Sequence, residues 1–263
     1  MKKLFIIKIG GNIIDDSNAL EKFLLNFSKI DGLKILVHGG GKVASELAKK
    51  LGVSQAMVNG RRITDAETLK ITAMVYAGLI NKQIVALLQS YEVNAIGLCG
   101  ADANSIKADI RKVEDIDYGF VGDVSSSGIN SQMLSAFLEM NLVPVFSAIT
   151  HDGNGQLLNT NADTIASVLA IALSENYDVQ LNYCFEKNGV LENVKDENSV
   201  IKTITKTKYK QLLQEGIISK GMIPKMDNAF SAIQNGVSSV VIANADELIN
   251  TTQNEHSGTT LIA

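Results

Sequence analysis

The chain has 263 residues, 46% of them hydrophobic, and carries a formal net charge of −4 at pH 7. This composition indicates a substantial core and excludes a disordered chain, and the acidic balance disfavours nucleic acid as the main partner. The length allows one large α/β domain or two lobes that share a sheet. Cys99 and Cys184 lie in apolar segments without a Cys-x-x-Cys spacing, so we expect reduced, buried thiols.

The N-terminus resembles a secretory signal only briefly. Lys2 and Lys3 precede four apolar residues, but Lys8 and the pair Gly10-Gly11 end that run far below the length of a signal peptide. No stretch of the sequence approaches the roughly 18 apolar residues of a membrane span. We therefore expect a cytoplasmic protein without a membrane partner.

Short apolar runs alternate with longer amphipathic segments, which is typical of a mostly parallel sheet with helices on both faces. The apolar runs predict strands at residues 4–9, 34–38, 94–99, 143–149, 179–185 and 239–243. The amphipathic segments predict helices at residues 17–30, 42–51, 65–91, 131–140, 163–174, 206–215 and 225–235. The sequence therefore predicts an α/β fold, a three-layer αβα sandwich with a central, mostly parallel sheet.

Two stretches interrupt this alternation. Residues 106–130 and 152–158 contain short β-forming pieces separated by glycine turns, which predicts β-excursions over the strand ends. We place a boundary between two lobes near residues 174–178, so that the predicted domains are 1–174 and 175–263.

Lys8 is the first candidate functional residue because it ends a buried strand. A lysine there is costly to desolvate unless an anion meets it. Gly10 and Gly11 follow it and leave their backbone N–H groups accessible to a ligand. Ligands of open α/β sheets bind at the carboxyl ends of the strands. A phosphate site and a lysine that extends to solvent from an edge strand are both compatible with this segment alone.

The second predicted strand ends in His38 and three glycines, residues 39–41. Successive glycines at a helix N-terminus form a backbone cradle for an anion. The segment is not a Walker A motif, since Val43 follows Lys42, and no acidic residue closes the next strand as in a dinucleotide fingerprint. It is not a lipase oxyanion loop either, because the chain has no Gly-x-Ser-x-Gly.

Three further segments carry polar residues beside predicted helices. Residues 59–64 (Asn-Gly-Arg-Arg-Ile-Thr) could hold a carboxylate, although spacing alone favours a solvated basic turn with Thr64 as the helix N-cap. Residues 159–164 (Asn-Thr-Asn-Ala-Asp-Thr) hold more polar groups than capping requires, and Asn159 and Asn161 would face one side of an extended segment. Lys225 lies in the first turn of a helix, where the dipole disfavours a cation, so it needs an anion unless it reaches solvent.

Five segments, in this order and at this spacing, resemble the acetylglutamate kinases of the amino-acid kinase family. They begin at Lys8, His38, Asn59, Asn159 and Gly221. Each segment alone is a weak signal, but the five together are highly specific, and the resemblance covers residues 8–263. Members of this family use ATP with Mg²⁺ to phosphorylate the side-chain carboxylate of an N-acylated glutamate, giving an acyl phosphate on the route to arginine.

The resemblance implies roles for these residues. Lys8 and Lys225 would neutralise charge on the transferred phosphoryl group, and Asp163 would hold the two lysines in place. Phosphate-binding backbone N–H groups would come from Gly10, Gly11 and Gly40. The acyl-glutamate would be bound by Gly40, Gly41, Arg62 and Asn159, with Asn161 close by. A γ-carboxylate with a pKa of ~4.3 is already ionised at neutral pH, so the reaction needs no general base.

The resemblance places the nucleotide on two later segments. Its predicted contacts are Glu186, Asn188, Gly189, Ile217, Ile218 and Ser219. Glu186 stands where the family usually has an aspartate, and Lys187 replaces a small apolar residue, which leaves the nucleotide preference open. A hydrophobic helix stop explains residues 217–219 equally well.

Arginine-inhibited members of this family carry an additional N-terminal helix that joins dimers into hexamers. This sequence begins at its first strand, so the resemblance implies a homodimer that arginine does not inhibit. The acyl group remains open between acetyl and another group such as succinyl. A non-catalytic amino-acid or nucleotide binding protein of the same fold is one alternative, and a Rossmann oxidoreductase rests only on the glycine pattern of residues 39–44.

Overall fold

The computed structural model describes residues 1–58, 60–193, 195–218, 222–253 and 257–263 of the chain. It divides into two compact units. The first unit comprises Met1–Ile35 together with Ala166–Ala263, and the second comprises Leu36–Ile165.

Strands and helices alternate along the chain. The strands are Lys3–Ile9 (β1), Leu33–His38 (β2), Met57–Val58 (β3), Arg61–Arg62 (β4), Ala95–Leu98 (β5), Asp109–Ile110 (β6), Gly122–Asp123 (β7), Val143–Ser147 (β8), Ile149–His151 (β9), Leu157–Asn159 (β10), Asp178–Phe185 (β11), Thr203–Ile204 (β12), Ser239–Asn244 (β13) and Thr259–Leu261 (β14). The α-helices are Gly11–Ile14 (α1), Ser17–Ser28 (α2), Gly41–Lys50 (α3), Ala66–Ala73 (α4), Asn81–Ser90 (α5), Ser131–Glu139 (α6), Ala162–Leu173 (α7), Lys206–Gln214 (α8), Ile223–Gln234 (α9) and Leu248–Thr252 (α10). Met74–Ile80, between α4 and α5, is π-helical.

In the first unit the strands follow the order β12-β14-β13-β11-β1. β11 is parallel to both β1 and β13, and β13 pairs antiparallel with β14. Leu4, Ile6 and Ile9 of β1 are fully buried, as expected for a strand of a mostly parallel sheet that is covered on both faces. The register pairs Lys8 with Tyr183 and Ile9 with Cys184, so the carboxyl ends of β1 and β11 coincide.

In the second unit β2, β8 and β5 follow one another and are all parallel. Three short antiparallel pairs, β3–β4, β6–β7 and β9–β10, belong to the same unit. The pairs β6–β7 and β9–β10 confirm the β-excursions predicted around residues 106–130 and 152–158.

The predicted α/β fold with a mostly parallel central sheet is confirmed, and each predicted strand and helix lies close to an observed one. The helix predicted over residues 65–91 is interrupted by the π-helical segment. The prediction of Thr64 as the N-cap was wrong, because the carboxylate of Asp65 accepts a hydrogen bond from the Thr68 N–H at 2.7 Å. The Thr64 hydroxyl donates instead to the Arg62 carbonyl oxygen at 3.1 Å.

The compact units differ from the domains predicted at 1–174 and 175–263. The first 35 residues group with the C-terminal part of the chain, because β1 pairs with β11 over its whole length, from Lys3 with Asp178 to Ile9 with Cys184. A composition change along the sequence cannot reveal a pairing between strands so far apart.

Among the described residues, the helical run Ala66–Ser90 is long and apolar enough to cross a membrane by length and composition, contrary to the expectation from the sequence. Within the second unit, 44% of its most apolar window is buried inside the protein. A core helix meets the same criteria, so the run is weak evidence for a membrane span.

Candidate active site

The carboxyl end of β1 carries the first group of predicted site residues. The Gly10 N–H donates to the Cys184 carbonyl oxygen at 2.8 Å. A Cβ at Gly10 would lie only 3.2 Å from that oxygen, so a side chain there would require β11 to shift by a few tenths of an ångström. A Cβ at Gly11 would meet no atom within 4 Å. The backbone at Gly11 is therefore accessible to a ligand, while Gly10 serves the packing of the two strands.

The structure brings Lys8 and Lys225 to the same strand end. Lys8 is paired with Tyr183 in the sheet, and the Lys225 ammonium lies 4.8 Å from the centroid of the Tyr183 ring. Burial raises the pKa of the neighbouring Cys184 thiol to about 12, while the charges of Lys8 and Lys225 act in the opposite direction. Both ammonium groups are thus within electrostatic reach of one thiol, and that thiol stays protonated at neutral pH.

Both cysteines are free thiols, as predicted. Cys184 is buried, whereas Cys99 is only partly buried, so the expectation of burial holds for one of the two.

The second unit contains the glycine segment 39–41. Gly40 adopts φ +153°, a conformation that L side chains rarely adopt, and a Cβ there would collide with Ile80 and crowd Tyr76 at 3.0 Å. Only glycine fits this position. Gly40 is also the N-cap of the ten-residue helix α3 and supplies no capping side chain, so N–H groups of the first turn remain available to an anion.

Arg62 lies beside this glycine segment and is 9% exposed. Its Nη2 donates to the Gly41 carbonyl oxygen at 2.8 Å and to the Ser45 hydroxyl at 2.9 Å. Burial raises the pKa of Tyr76, and the charge and hydrogen bond of Arg62 lower it, which places the phenol against the guanidinium. The Arg62 Nη1 is buried without a hydrogen-bond partner among the described residues. A buried guanidinium nitrogen without a partner is costly, and an anionic ligand would remove that cost.

Asn159 reaches the same neighbourhood from the end of β10. Its Nδ2 donates to the Thr64 hydroxyl at 3.0 Å, and that hydroxyl donates in turn to the Arg62 carbonyl oxygen. The structure therefore brings Arg62 and Asn159 together through Thr64. From its sequence position Thr64 was predicted only as the helix N-cap, although it belongs to the candidate segment 59–64.

Asn161 differs from Asn159 in its surroundings. Its side-chain oxygen accepts from the Thr164 N–H at 3.0 Å, which makes it a cap of α7, and it is exposed while Asn159 is buried. The two amides therefore differ in burial and in hydrogen-bond partners. Asp163, two residues further on, lies in the first turn of α7, where the helix dipole favours a carboxylate.

The predicted nucleotide residues lie in the first unit. Glu186 follows β11 directly, and its carbonyl oxygen accepts from Asn244 Nδ2 at 3.3 Å. The same amide donates to Asn188 Oδ1 at 3.1 Å. Gly189 has φ +149°, and a Cβ there would lie 2.7 Å from the Thr259 hydroxyl. Asn244 and Thr259 shape this loop. Thr259 belongs to the terminal segment Ser257-Gly258-Thr259 that resembles the family's pattern, whereas Asn244 was not predicted, because its contacts come from a strand far along the chain.

Ile217 and Ile218 fit the alternative of a hydrophobic helix stop. The Ile217 N–H donates to the Leu212 carbonyl oxygen at 3.0 Å at the end of α8, and the Ile218 side chain is buried. Ser219, the third residue of this prediction, lies outside the described residues.

His38 is fully buried, and burial lowers its pKa from 6.5 to about 4, with a smaller contribution in the same direction from the charge of Lys82. The unfolded chain therefore binds a proton between pH 6.5 and 4 that the native protein does not bind. The contribution of neutral His38 to the free energy of unfolding is therefore fully present above pH 6.5. It is lost as the pH falls towards 4, by up to about 3 kcal/mol. We expect urea unfolding to show this loss, and a His38→Gln variant to show a smaller loss over the same interval.

Comparisons with known proteins show the family to which the chain is similar. The model of the amino acid kinase family matches residues 3–244. An acetylglutamate kinase from Cytophaga hutchinsonii is 57% identical and covers 100% of both chains. One from Phocaeicola vulgatus is 54% identical and covers 99% of this chain and 98% of its own. The crystal structure of smu.665 from Streptococcus mutans UA159 is 28% identical, with a TM-score of 0.76 over 99% of this chain and 98% of that one.

The chain therefore belongs to the amino acid kinase family. Within that family it is similar over its whole length to the acetylglutamate kinases.

Proposed function

We infer that this chain transfers the γ-phosphoryl group of ATP to the γ-carboxylate of N-acetyl-L-glutamate, giving an acyl phosphate, as a step of arginine biosynthesis. The inference rests on the names of relatives with 50% identity or more and on one observation in the site. That observation is the buried Nη1 of Arg62, which has no hydrogen-bond partner among the described residues.

The acceptor site we propose lies in the second unit. Arg62 binds the α-carboxylate of the acyl-glutamate, since a guanidinium already held by Gly41 and Ser45 presents its remaining nitrogen in a fixed direction. Asn159, fixed through Thr64, and the backbone of Gly40 and Gly41 complete the contacts. Asn161 caps α7 and orders this segment indirectly.

The phosphoryl group is bound, in this proposal, by cations and backbone N–H groups. Lys8 and Lys225 neutralise its charge, and Asp163 holds the two lysines. Gly11 contributes a backbone N–H at the β1 end of the site, whereas the N–H predicted from Gly10 is already bonded to the Cys184 carbonyl oxygen, so Gly10 contributes only its packing against β11. Phosphoryl transfer depends mainly on positioning and charge stabilisation. No side chain has to remove a proton because the acceptor carboxylate is ionised, with a pKa of ~4.3.

ATP is the phosphoryl donor we propose, bound by the segment with Glu186, Asn188 and Gly189 and by residues 217–219. Mg²⁺ is usually held by the phosphates of its nucleotide and only a few carboxylates. Chelation of Mg²⁺ should therefore abolish turnover.

We propose a homodimer that works in the cytoplasm. Met74 and Leu79, which are 55% and 48% exposed on the helical run Ala66–Ser90, offer apolar surface that a second copy would cover. Light scattering on the purified protein tests the assembly, and a monomer would contradict it.

The test of the function uses hydroxylamine, which converts an acyl phosphate into a stable hydroxamate. We expect ATP-dependent hydroxamate formation with N-acetyl-L-glutamate to exceed that with N-succinyl-L-glutamate and free L-glutamate. Faster reaction of the succinyl compound would show that the acceptor is N-succinyl-L-glutamate and not N-acetyl-L-glutamate. Binding of ATP without hydroxamate from any of the three acceptors would indicate a non-catalytic binding protein.

A further inference from the structure

His38 joins the glycine segment to the interior of the second unit. It is the last residue of β2, is 0% exposed, and directly precedes Gly39. Its Nδ1 lies 2.8 Å from the Gly39 carbonyl oxygen, and its Nε2 lies 3.0 Å from Nδ2 of Asn81. Both ring nitrogens therefore have a partner, and the reaction proposed above uses neither.

The surroundings of Asn81 decide which ring nitrogen carries the proton. Asn81 Nδ2 also donates to the Val145 carbonyl oxygen at 2.9 Å, and a carbonyl oxygen only accepts. The Lys82 ammonium donates to Asn81 Oδ1 at 3.1 Å and to the Gly97 carbonyl oxygen at 2.9 Å, which fixes the other end of the amide. Asn81 therefore presents an N–H to His38, so that Nε2 is the bare acceptor and Nδ1–H donates to Gly39.

The neutral ring that this arrangement needs is the form expected at neutral pH, because burial lowers the pKa of His38 to about 4. Gly97 supports the arrangement sterically, since a Cβ at that position would collide with the amide oxygen of Asn81. Among the described residues, Lys82 is the charged group that influences His38.

The Gly39 carbonyl and the Gly40 N–H belong to one planar trans peptide group and point in opposite directions. This peptide lies between two glycines, where rotation meets little steric resistance. A donor that fixes the Gly39 oxygen therefore also fixes the direction of the Gly40 N–H. Without that donor, the peptide plane is free to turn and the N–H loses its direction.

We propose that His38 and Asn81 are positioning residues that hold the Gly39–Gly40 peptide so that the Gly40 N–H is directed at the bound acceptor and phosphoryl group. The proposal rests on the function inferred above for Gly40. Asn81 sets the tautomer of His38, and His38 sets the peptide plane. Neither side chain needs to touch the substrate.

Two substitutions at position 38 separate the two hydrogen bonds. In His38→Asn the amide nitrogen takes the place of Nδ1, so the donor to Gly39 is kept. In His38→Gln the amide reaches the place of Nε2, so the partner of Asn81 is kept and the donor to Gly39 is lost. We expect His38→Gln to lower kcat/KM for N-acetyl-L-glutamate roughly 10–100-fold, as misplaced reacting groups do, and His38→Asn to stay within about fivefold of the wild type.

The KM for ATP should stay within about twofold in both variants, because the predicted nucleotide residues lie in the first unit. A variant that is merely unstable would have a lower kcat, but its KM for N-acetyl-L-glutamate would not change relative to its KM for ATP. Equal losses in the two variants, or full activity of His38→Gln, would overturn the proposal.

A second measurement does not depend on turnover. The chain has three histidines, and ¹⁵N NMR of histidine-labelled protein distinguishes a protonated Nδ1 from a protonated Nε2. We expect one neutral ring with Nδ1–H at pH near 7, absent from the spectrum of His38→Gln. An Nε2–H ring at this position would overturn the proposal even if the kinase assay succeeds. Failure of the kinase assay with an Nδ1–H ring would overturn the proposed function and with it the role of the Gly40 N–H.

Discussion

Replacing Lys8 with alanine is expected to lower kcat for acyl phosphate formation by about 10²–10³-fold while the fold survives. Lys8 lies at the end of β1 beside Tyr183, next to the accessible backbone of Gly11. In the proposed reaction, a positive charge at this place stabilises the transferred phosphoryl group, which is why its loss should lower kcat. Lys225→Ala should have an effect of the same order, because its ammonium lies at the same strand end.

The control for this prediction is Lys49→Ala, an exposed lysine in the last turn of α3. It changes the net charge equally and should leave kcat unchanged. The rate is measured by hydroxamate formation, and far-UV circular dichroism verifies the fold of each variant. Turnover near the wild-type rate in Lys8→Ala or Lys225→Ala would contradict the assignment of these lysines to the phosphoryl group.

Replacing Arg62 with leucine is expected to raise the KM for N-acetyl-L-glutamate by about 10–100-fold. A hydrogen bond to a charged group contributes about 1.5–3 kcal/mol, and the buried Nη1 has no competing partner among the described residues. Arg62→Lys should be intermediate, since an ammonium keeps the charge but cannot contact Gly41, Ser45 and the ligand in the fixed geometry of a guanidinium.

The acceptor itself provides the matched control. The α-carboxamide analogue of N-acetyl-L-glutamate removes the charge that Arg62 is proposed to bind. We expect the analogue to have a raised KM with the wild type and no further increase with Arg62→Leu, because both changes remove the same interaction. Independent, additive effects of the two changes would show that Arg62 binds another part of the substrate.

The sequence allowed the elements and the site segments to be predicted because these depend on local patterns. Short apolar runs predicted the strands, and the glycines at 39–41 predicted a turn between a strand and a helix, where the structure has the end of β2 and the start of α3. The two lysines could be predicted as site residues because each charge is unfavourable in its own segment. For Lys225 the reason is the dipole in the first turn of a helix.

The remaining features depend on residues that meet only in the folded chain. Tyr76 and Ser45 reach Arg62 from two different helical segments, and Asn81 meets His38 from the start of α5. Asn161 was grouped with Asn159 by spacing, but the start of α7 takes its side chain as a cap. Short-range competition between capping and ligand binding cannot be decided from residue types alone.

The pairing of β1 with β11 also determines when each part of the chain can fold during synthesis. The second unit, Leu36–Ile165, is continuous, so all its strands are translated before β11. The first unit cannot complete its sheet at that stage, because β1 is made first and its partner strand β11 begins only at Asp178. Such long-range parallel pairing is slow to form. The nascent chain therefore completes the proposed acceptor site early, while Lys8, near its very beginning, acquires its final surroundings last.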